Sequence, residues 1–133
     1  MAEIEYKTNV LIDAQKIIEL YRNANLPRPI SDGERIEKMF ANSNLVISAW
    51  HNDELIGISR SLTDFSWCCY LADLAVRRDF QRAGVGKRLV ELTHEAVGEN
   101  SMVLLLSVPD AMTYYPKIGM EKVESSFIFN RKN

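Results

Sequence analysis

Apolar and polar positions along the chain switch between a two-residue and a 3.6-residue spacing, and each switch marks an element. Residues 3–8 alternate weakly, as a first strand would. Between Asp13 and Ala24, Ile17, Ile18, Leu20 and Tyr21 repeat at helical spacing, so the stretch reads as a helix with Asp13 as N-cap. Residues 25–30 break the pattern with Pro27 and Pro29 and read as a stiff loop. A second helix starts at Ser31, where Ser31-x-x-Glu34 has the form of a capping box and Ile36, Met39 and Phe40 supply one apolar stripe. Strands follow at residues 44–50 and 55–62, a hairpin about the turn 51–54, and at 67–76, a mostly apolar run interrupted by Asp73. A helix over 84–97 carries Val85, Leu89, Leu92 and Ala96 on one face. Residues 102–108 form a near-continuous apolar run, the mark of a buried central strand. A short helix over 110–117 and a last strand over 122–130 complete the order β-α-α-β-β-β-α-β-α-β. An antiparallel meander that runs into a β-α-β crossover predicts an α/β fold of the α+β kind, with a mixed central sheet and helices on both faces.

Composition narrows the class. At 133 residues the chain reads as a single domain over 1–133. With 47% apolar and 26% charged residues it has the balance of a soluble globular protein, which excludes a disordered tail, a collagen and a coiled coil. No apolar run approaches the roughly 18 residues a membrane span needs. Residues 1–9 are charged and lack the apolar core of a signal peptide, so the expected location is cytoplasmic. Cys68 and Cys69 are adjacent and point to opposite faces of a strand, which argues against a mutual disulfide and for a reduced pair. His51 and His94 have no Cys or His partner at ligand spacing, so no metal is expected.

Charge adds one feature. The net charge of -2 does not suggest a nucleic-acid binder. Residues 1–75 hold 7 basic and 11 acidic side chains, and residues 76–133 hold 9 and 7. Most of the positive excess sits between Arg77 and Arg88, where five basic residues face only Asp79. That block joins an apolar strand to a helix through Gly84 and Gly86. Glycines let the backbone approach a ligand, and a helix N-terminus offers unpaired N–H groups and the positive dipole end. Together they suit an anion such as phosphate. Neither familiar phosphate motif fits. Gln81 stands where a Walker A loop has its first glycine and Arg88 where it has Ser or Thr, while Leu89 takes the third glycine position of a dinucleotide fingerprint.

A different pattern does fit. Leu74-Ala75-Val76, followed by Gln81-x-x-Gly84-x-Gly86, resembles the acyl-CoA loop of the GNAT superfamily of N-acetyltransferases, which reads Gln/Arg-x-x-Gly-x-Gly/Ala. Downstream, Ala111-Met112-Thr113-Tyr114-Tyr115-Pro116-Lys117-Ile118-Gly119-Met120 is similar to that family's Ala-x-x-Phe-Tyr-x-x-x-Gly-Phe segment. The element order agrees as well. Met120 replaces the usual Phe, Pro116 follows the tyrosine, and Val108 stands where many members have Asn.

The resemblance implies the GNAT fold, acetyl-CoA as cosubstrate without a metal, and an amine as acceptor. It implies a bulge in the strand at 67–76, splayed from the strand at 102–108. Leu74, Ala75 and Val76 would pair with the pantetheine arm in the gap. Gln81, Arg82, Ala83, Gly84, Val85, Gly86 and Lys87 would surround the pyrophosphate. Arg77, Arg78 and Arg88 would add charge nearby. Tyr115 matches the tyrosine that acts as general acid to the leaving thiolate, and a backbone N–H near Val76 would serve the oxyanion. A phenol with a pKa of about 10 beside a thiolate of about 8.5 suits that task.

Asp73 is the one charge inside an apolar strand and so a candidate general base, since buried carboxylates tend to be paired or functional. Asp64, Glu34, Tyr70 and a water chain are the other bases considered. The acceptor cleft would be built by the two N-terminal helices, the loop 25–30 and the turn 63–67, and the acidic N-terminal half would suit a cationic amine. The rival readings are a non-catalytic acyl-CoA sensor or interaction module, which keeps the loop without needing Tyr115, and a nucleotide-binding protein using the same glycines. The last strand, as a sheet edge, invites pairing with a second copy, a homodimer.

Overall fold

Polar side chains begin and end the first two helices. The computed structural model describes residues 3–133. Helix α1 (Ala14–Ala24) starts at Asp13, whose carboxylate accepts the Gln15 N–H at 2.9 Å, and ends at Asn25, in the left-handed region with φ 57°. Helix α2 (Gly33–Ala41) is capped by Asp32, not Ser31. The Asp32 carboxylate accepts the Arg35 N–H at 3.1 Å. A charged acceptor at the positive end of the helix dipole outcompetes the hydroxyl one residue earlier.

Strands β1 (Glu5–Thr8), β2 (Leu45–His51), β3 (Glu54–Thr63) and β4 (Cys68–Val76) pair antiparallel in sequence order, and β5 (Met102–Leu104) joins β4 in parallel. The result is the expected mixed sheet, with α1 and α2 on one face and α3 (Val85–Val97) on the other. Ile17, Leu20, Tyr21 and Ile36 pack against Val46, Leu55 and Ile58 on the first face. Val85 and Leu89 pack against Leu45, Ile47, Ile56 and Val76 on the second. Gly57 lets α3 approach closely, because a Cβ there would lie 3.1 Å from both Leu89 and Val85.

The decisive irregularity is a bulge in β4. Ser61 pairs with Leu71 but Arg60 with Asp73, leaving Ala72 unmatched. Side chains alternate along a strand, and an extra residue reverses the alternation. Cys69 accordingly packs on the α3 face, while Ala75, of the same parity, packs on the α1 face. The bulge therefore carries Asp73 to the α1 face.

Two sequence expectations fail at the far edge of the sheet. The strand expected over 102–108 stops at Leu104, paired with Tyr70. Two residues further along β4, the Ala72 carbonyl is taken by Arg28 Nη2 at 2.8 Å, so the ladder has no acceptor there. The last strand, expected over 122–130, does not form. The segment lies outside the sheet, with Phe127 and Phe129 fully exposed, and ends with the Asn133 carbonyl accepting Arg35 Nη2 at 3.2 Å. A three-residue β5 offers too short a ladder to hold it. The short helix expected over 110–117 appears as a 3-10 turn (Pro109–Ala111) and a single α-turn, α4 (Tyr114–Lys117). Cys68 is exposed and Cys69 buried, both free.

Candidate functional site

Because β5 leaves β4 after Leu104, the upper half of β4 has an open side, and a cavity of about 120 Å³ fills it. The Arg77 N–H donates to Ile56 of β3 at 2.8 Å. Backbone groups alternate in direction along an antiparallel strand, so Leu74 and Val76 turn their N–H groups to the opposite side, into the gap. Ala75 turns its backbone to β3 and its side chain to the α1 core. Of the three residues expected to face pantetheine, two turn their N–H groups into the gap. Tyr115 enters the same cavity from α4, and Gln81 from the loop after β4.

That loop is closed on the strand by its own glutamine, whose Nε2 donates to the Val76 carbonyl at 3.0 Å. A 3-10 turn (Arg78–Phe80) follows, and Gly84, at φ 80°, caps α3. A side chain at that φ is strained, so a glycine there is a backbone requirement. From Arg82 to Lys87, only the Ala83 N–H finds an acceptor among the described residues, the Phe80 carbonyl at 3.2 Å. The N–H groups of Arg82, Gly84, Val85, Gly86 and Lys87 stay open at the positive end of α3, a ready cradle for an anion. Gly86 also makes room for α4: a Cβ on it would stand 2.7 Å from the Tyr114 hydroxyl.

The basic block divides. Arg77 leans away to Asp79 and Glu54, with its Nε 3.4 and 3.6 Å from their carboxylates. Arg88 turns along its helix toward Glu95 at 3.8 Å. Arg78, Arg82 and Lys87 are exposed and make no ion pair among the described residues. They are the cations free to meet a phosphate.

Asp73 occupies a different environment from that of a base. Its side chain is fully buried. Oδ1 accepts Arg28 Nε at 2.6 Å, and Oδ2 accepts Arg60 Nε at 2.6 Å and the Tyr21 hydroxyl at 2.7 Å. Burial raises its pKa, but the hydrogen bond and charge of Arg60, then the charge of Arg28, outweigh that and hold the carboxyl below its ordinary value. A carboxylate fixed between two guanidiniums is a poor proton acceptor. Asp64 is likewise engaged: its Oδ1 caps the β3–β4 turn by accepting the N–H groups of Ser66, Trp67 and Cys68 at 2.8–3.0 Å, which lowers its pKa to about 2. Tyr115 moves the other way. Burial, then the neighbouring Tyr114, push its phenol up against a smaller downward pull from Arg28. The two tyrosine rings meet edge to face at 5.2 Å.

Arg28 is the residue the sequence reading missed. It reaches from the loop 25–30 over the bulge, binding Asp73, the Ala72 carbonyl and, at 2.7 Å, the Pro27 carbonyl. The available signal was its place between two prolines, each of which fixes φ and so presets the loop around the cation.

Comparison with known proteins agrees with this geometry. The family model described as acetyltransferase (GNAT) domain matches residues 13–131. The chain belongs to the GNAT acetyltransferase family. Its relatives include the uncharacterized N-acetyltransferase ycf52 of Pyropia yezoensis, 27% identical across 90% of this chain and 74% of that one. A probable acetyltransferase of unknown function from meticillin-resistant Staphylococcus aureus superposes with a TM-score of 0.81 at 22% identity, covering 98% of this chain and 99% of its own. The aminoglycoside N-acetyltransferase AAC(6')-Iy, solved in complex with CoA, superposes at 0.73 with 13% identity, covering 100% of this chain and 97% of its own. At such identities the two structures speak for the fold, and the family match makes this GNAT chain an acetyltransferase. Among the described residues, no helix of this GNAT protein is long and apolar enough to cross a membrane.

Proposed function

We propose that the chain transfers the acetyl group of acetyl-CoA to a primary amine, with Tyr115 as general acid. One observation carries the reading: Leu74, Val76, Gln81 and Tyr115 line a single gap between β4 and the departing β5. The gap and the loop fit the cosubstrate. Free N–H groups on β4 suit the amides of a pantetheine arm, and the five open N–H groups before and within the first turn of α3 suit a pyrophosphate.

Bound acetyl-CoA supplies an acetyl thioester, an electrophile for direct attack. The Val76 N–H, turned into the gap, is the donor aimed at the carbonyl oxygen as charge develops. The amine lone pair forms the C–N bond, the C–S bond breaks, and Tyr115 gives its phenolic proton to the sulfur. The nitrogen's surplus proton leaves to water, which reprotonates Tyr115. The raised pKa of Tyr115 keeps the phenol protonated at neutral pH, the form an acid needs. Asp73 serves as a positioning residue for Arg28 and the loop above the cavity, not as the base.

Calorimetric titration with CoA, ATP and NAD tests the cofactor reading. Binding of CoA at least about tenfold tighter than of either nucleotide is expected. Equal affinities would return the loop to the nucleotide-binding alternative.

We also infer a homodimer in which the segment 122–130 of one copy meets β5 of another. Phe127 and Phe129 are exposed, and β5 ends the sheet with Met102 and the adjoining Leu106 exposed. An open edge and an unpaired apolar segment are complementary. Light scattering is expected to give twice the chain mass, falling to the monomer when residues 122–133 are removed. A monomer for the full chain would contradict the inference.

A further inference from the structure

Among the described residues, Arg28 is the only charged side chain lining the cavity between β4 and β5. Its neighbourhood does not balance its charge. Arg28 and Arg60 bring two positive charges to the single carboxylate of Asp73. Arg60 is closed off, with its side chain 11% exposed: beyond Asp73 it donates to Ser43 Oγ at 3.1 Å and lies 5.7 Å from the ring of Phe40. Tyr21 is neutral and spends its proton on Asp73. The surplus positive charge therefore rests at Arg28, whose side chain is 23% exposed.

Arg28 also has donors to spare. A guanidinium carries five N–H bonds in a fixed fork. Three are used, on Asp73, Pro27 and Ala72, which leaves two. These bonds and the flanking Pro27 and Pro29 hold the group at the cavity wall, so a ligand meeting it need not order it. Leu26, Leu71, Ala72 and Leu106 are among the apolar residues that line the rest of the cavity. Among the described residues, no acidic side chain of the N-terminal half lines this space, and the cationic acceptor expected from that half's charge would meet Arg28 head-on.

We propose that the acceptor carries a carboxylate one or two carbons from its amine, that Arg28 receives this carboxylate, and that the class is the α-amino acid with an apolar side chain. This rests on the acetyl-transfer reading for the reaction, though not for the binding. Arg28 and Tyr115 line the same cavity, and the thioester end of the pantetheine arm would share it, so the acceptor's amine and anion must lie close together. An amine placed beside Tyr115 can have its anion at Arg28 only if a short link joins them. A planar carboxylate matches the planar fork.

The test compares leucine with leucinamide and phenylalanine with phenylalaninamide, which differ in the charge at Arg28 and little in shape. Binding is measured by calorimetry with CoA present, and acetylation is measured separately. Each amino acid is expected to bind at least about tenfold tighter than its amide, the effect of one charge-assisted contact. In Arg28→Gln the ratio is expected to fall towards one, and in Arg28→Lys, which retains the charge without the fork, to fall less far. The ratio is read within each variant, so a loosened loop weakens both ligands and leaves it unchanged. Amides that bind as well as the acids, a preference that survives Arg28→Gln, or 2-aminoethylphosphonate binding tighter than β-alanine would each overturn the proposal. An Arg28-dependent preference without any acetylation would leave it standing and refute the reaction instead.

Discussion

Replacing Tyr115 by phenylalanine is expected to lower amine-dependent acetyl transfer by about 10²–10⁴-fold, the range over which a positioned acid acts. The substitution removes one oxygen and keeps the ring, so the edge-to-face contact with Tyr114 and the wall of the cavity persist. Affinity for CoA is therefore expected to change less than about threefold, since in the proposed role the lost group would meet the sulfur and not the phosphates or the pantetheine amides. This split between turnover and binding separates a chemical role from packing. Single-turnover rates measured beside CoA titrations read both. Turnover within a few-fold of the native chain would show that the leaving thiolate is protonated by something else. Because Arg28 pulls the Tyr115 phenol down against the upward effect of burial, Arg28→Gln is expected to move any alkaline limb of the rate profile to higher pH.

Asp73→Asn is expected to cost about 3 kcal/mol of stability, or about 10 °C in melting temperature. Asparagine keeps the shape, but its amide nitrogen cannot accept the hydrogen bonds that Arg28, Arg60 and Tyr21 donate to the carboxylate, and it leaves the two guanidiniums without a counter-charge, both of them at least three-quarters shielded from water. The pH dependence has a definite sign. The folded pKa of Asp73 lies below its unfolded value of about 3.9. Its contribution is therefore complete above that value and is lost as pH falls through the lower, folded pKa. The native chain should lose stability over that acid window, and Asp73→Asn should lose less there. Urea unfolding at pH 7 and at pH 3 measures both effects. A substitution that costs under about 1 kcal/mol would mean that the arginines find water as readily as they find Asp73.

The elements were legible where local chemistry decides them. Asp13, the stripe of Ile17, Ile18, Leu20 and Tyr21, and the glycines at 84 and 86 act within a few residues, and the structure has them in the expected helix and turn. Hidden features depend on contacts made across the sheet. Nothing in the run from Cys68 to Val76 marks Ala72 as a bulge. In a regular hairpin, Asp73 would face Ser59 and point to the α3 side, where Thr93 accepts the Ser59 hydroxyl at 2.8 Å. The extra residue places Asp73 opposite Arg60 instead, and converts a candidate base into the anchor of Arg28. Two lone charges of opposite sign on successive apolar strands were a visible hint of the pair, though not of the register that joins them. The strand expected over 122–130 was read from the local sequence alone, and a partner edge decides whether such a segment becomes a strand.

The open side of β4 and the N–H cradle of α3 are the basis of the account, and thiol release from acetyl-CoA tests it most directly. The assay follows free thiol with and without amines of different classes. Release that depends on an added amine, is fastest with apolar α-amino acids, and yields an N-acetyl product in equal amount is the predicted result. Tight binding of CoA with no release on any amine would contradict the account and identify the protein as an acyl-CoA sensor.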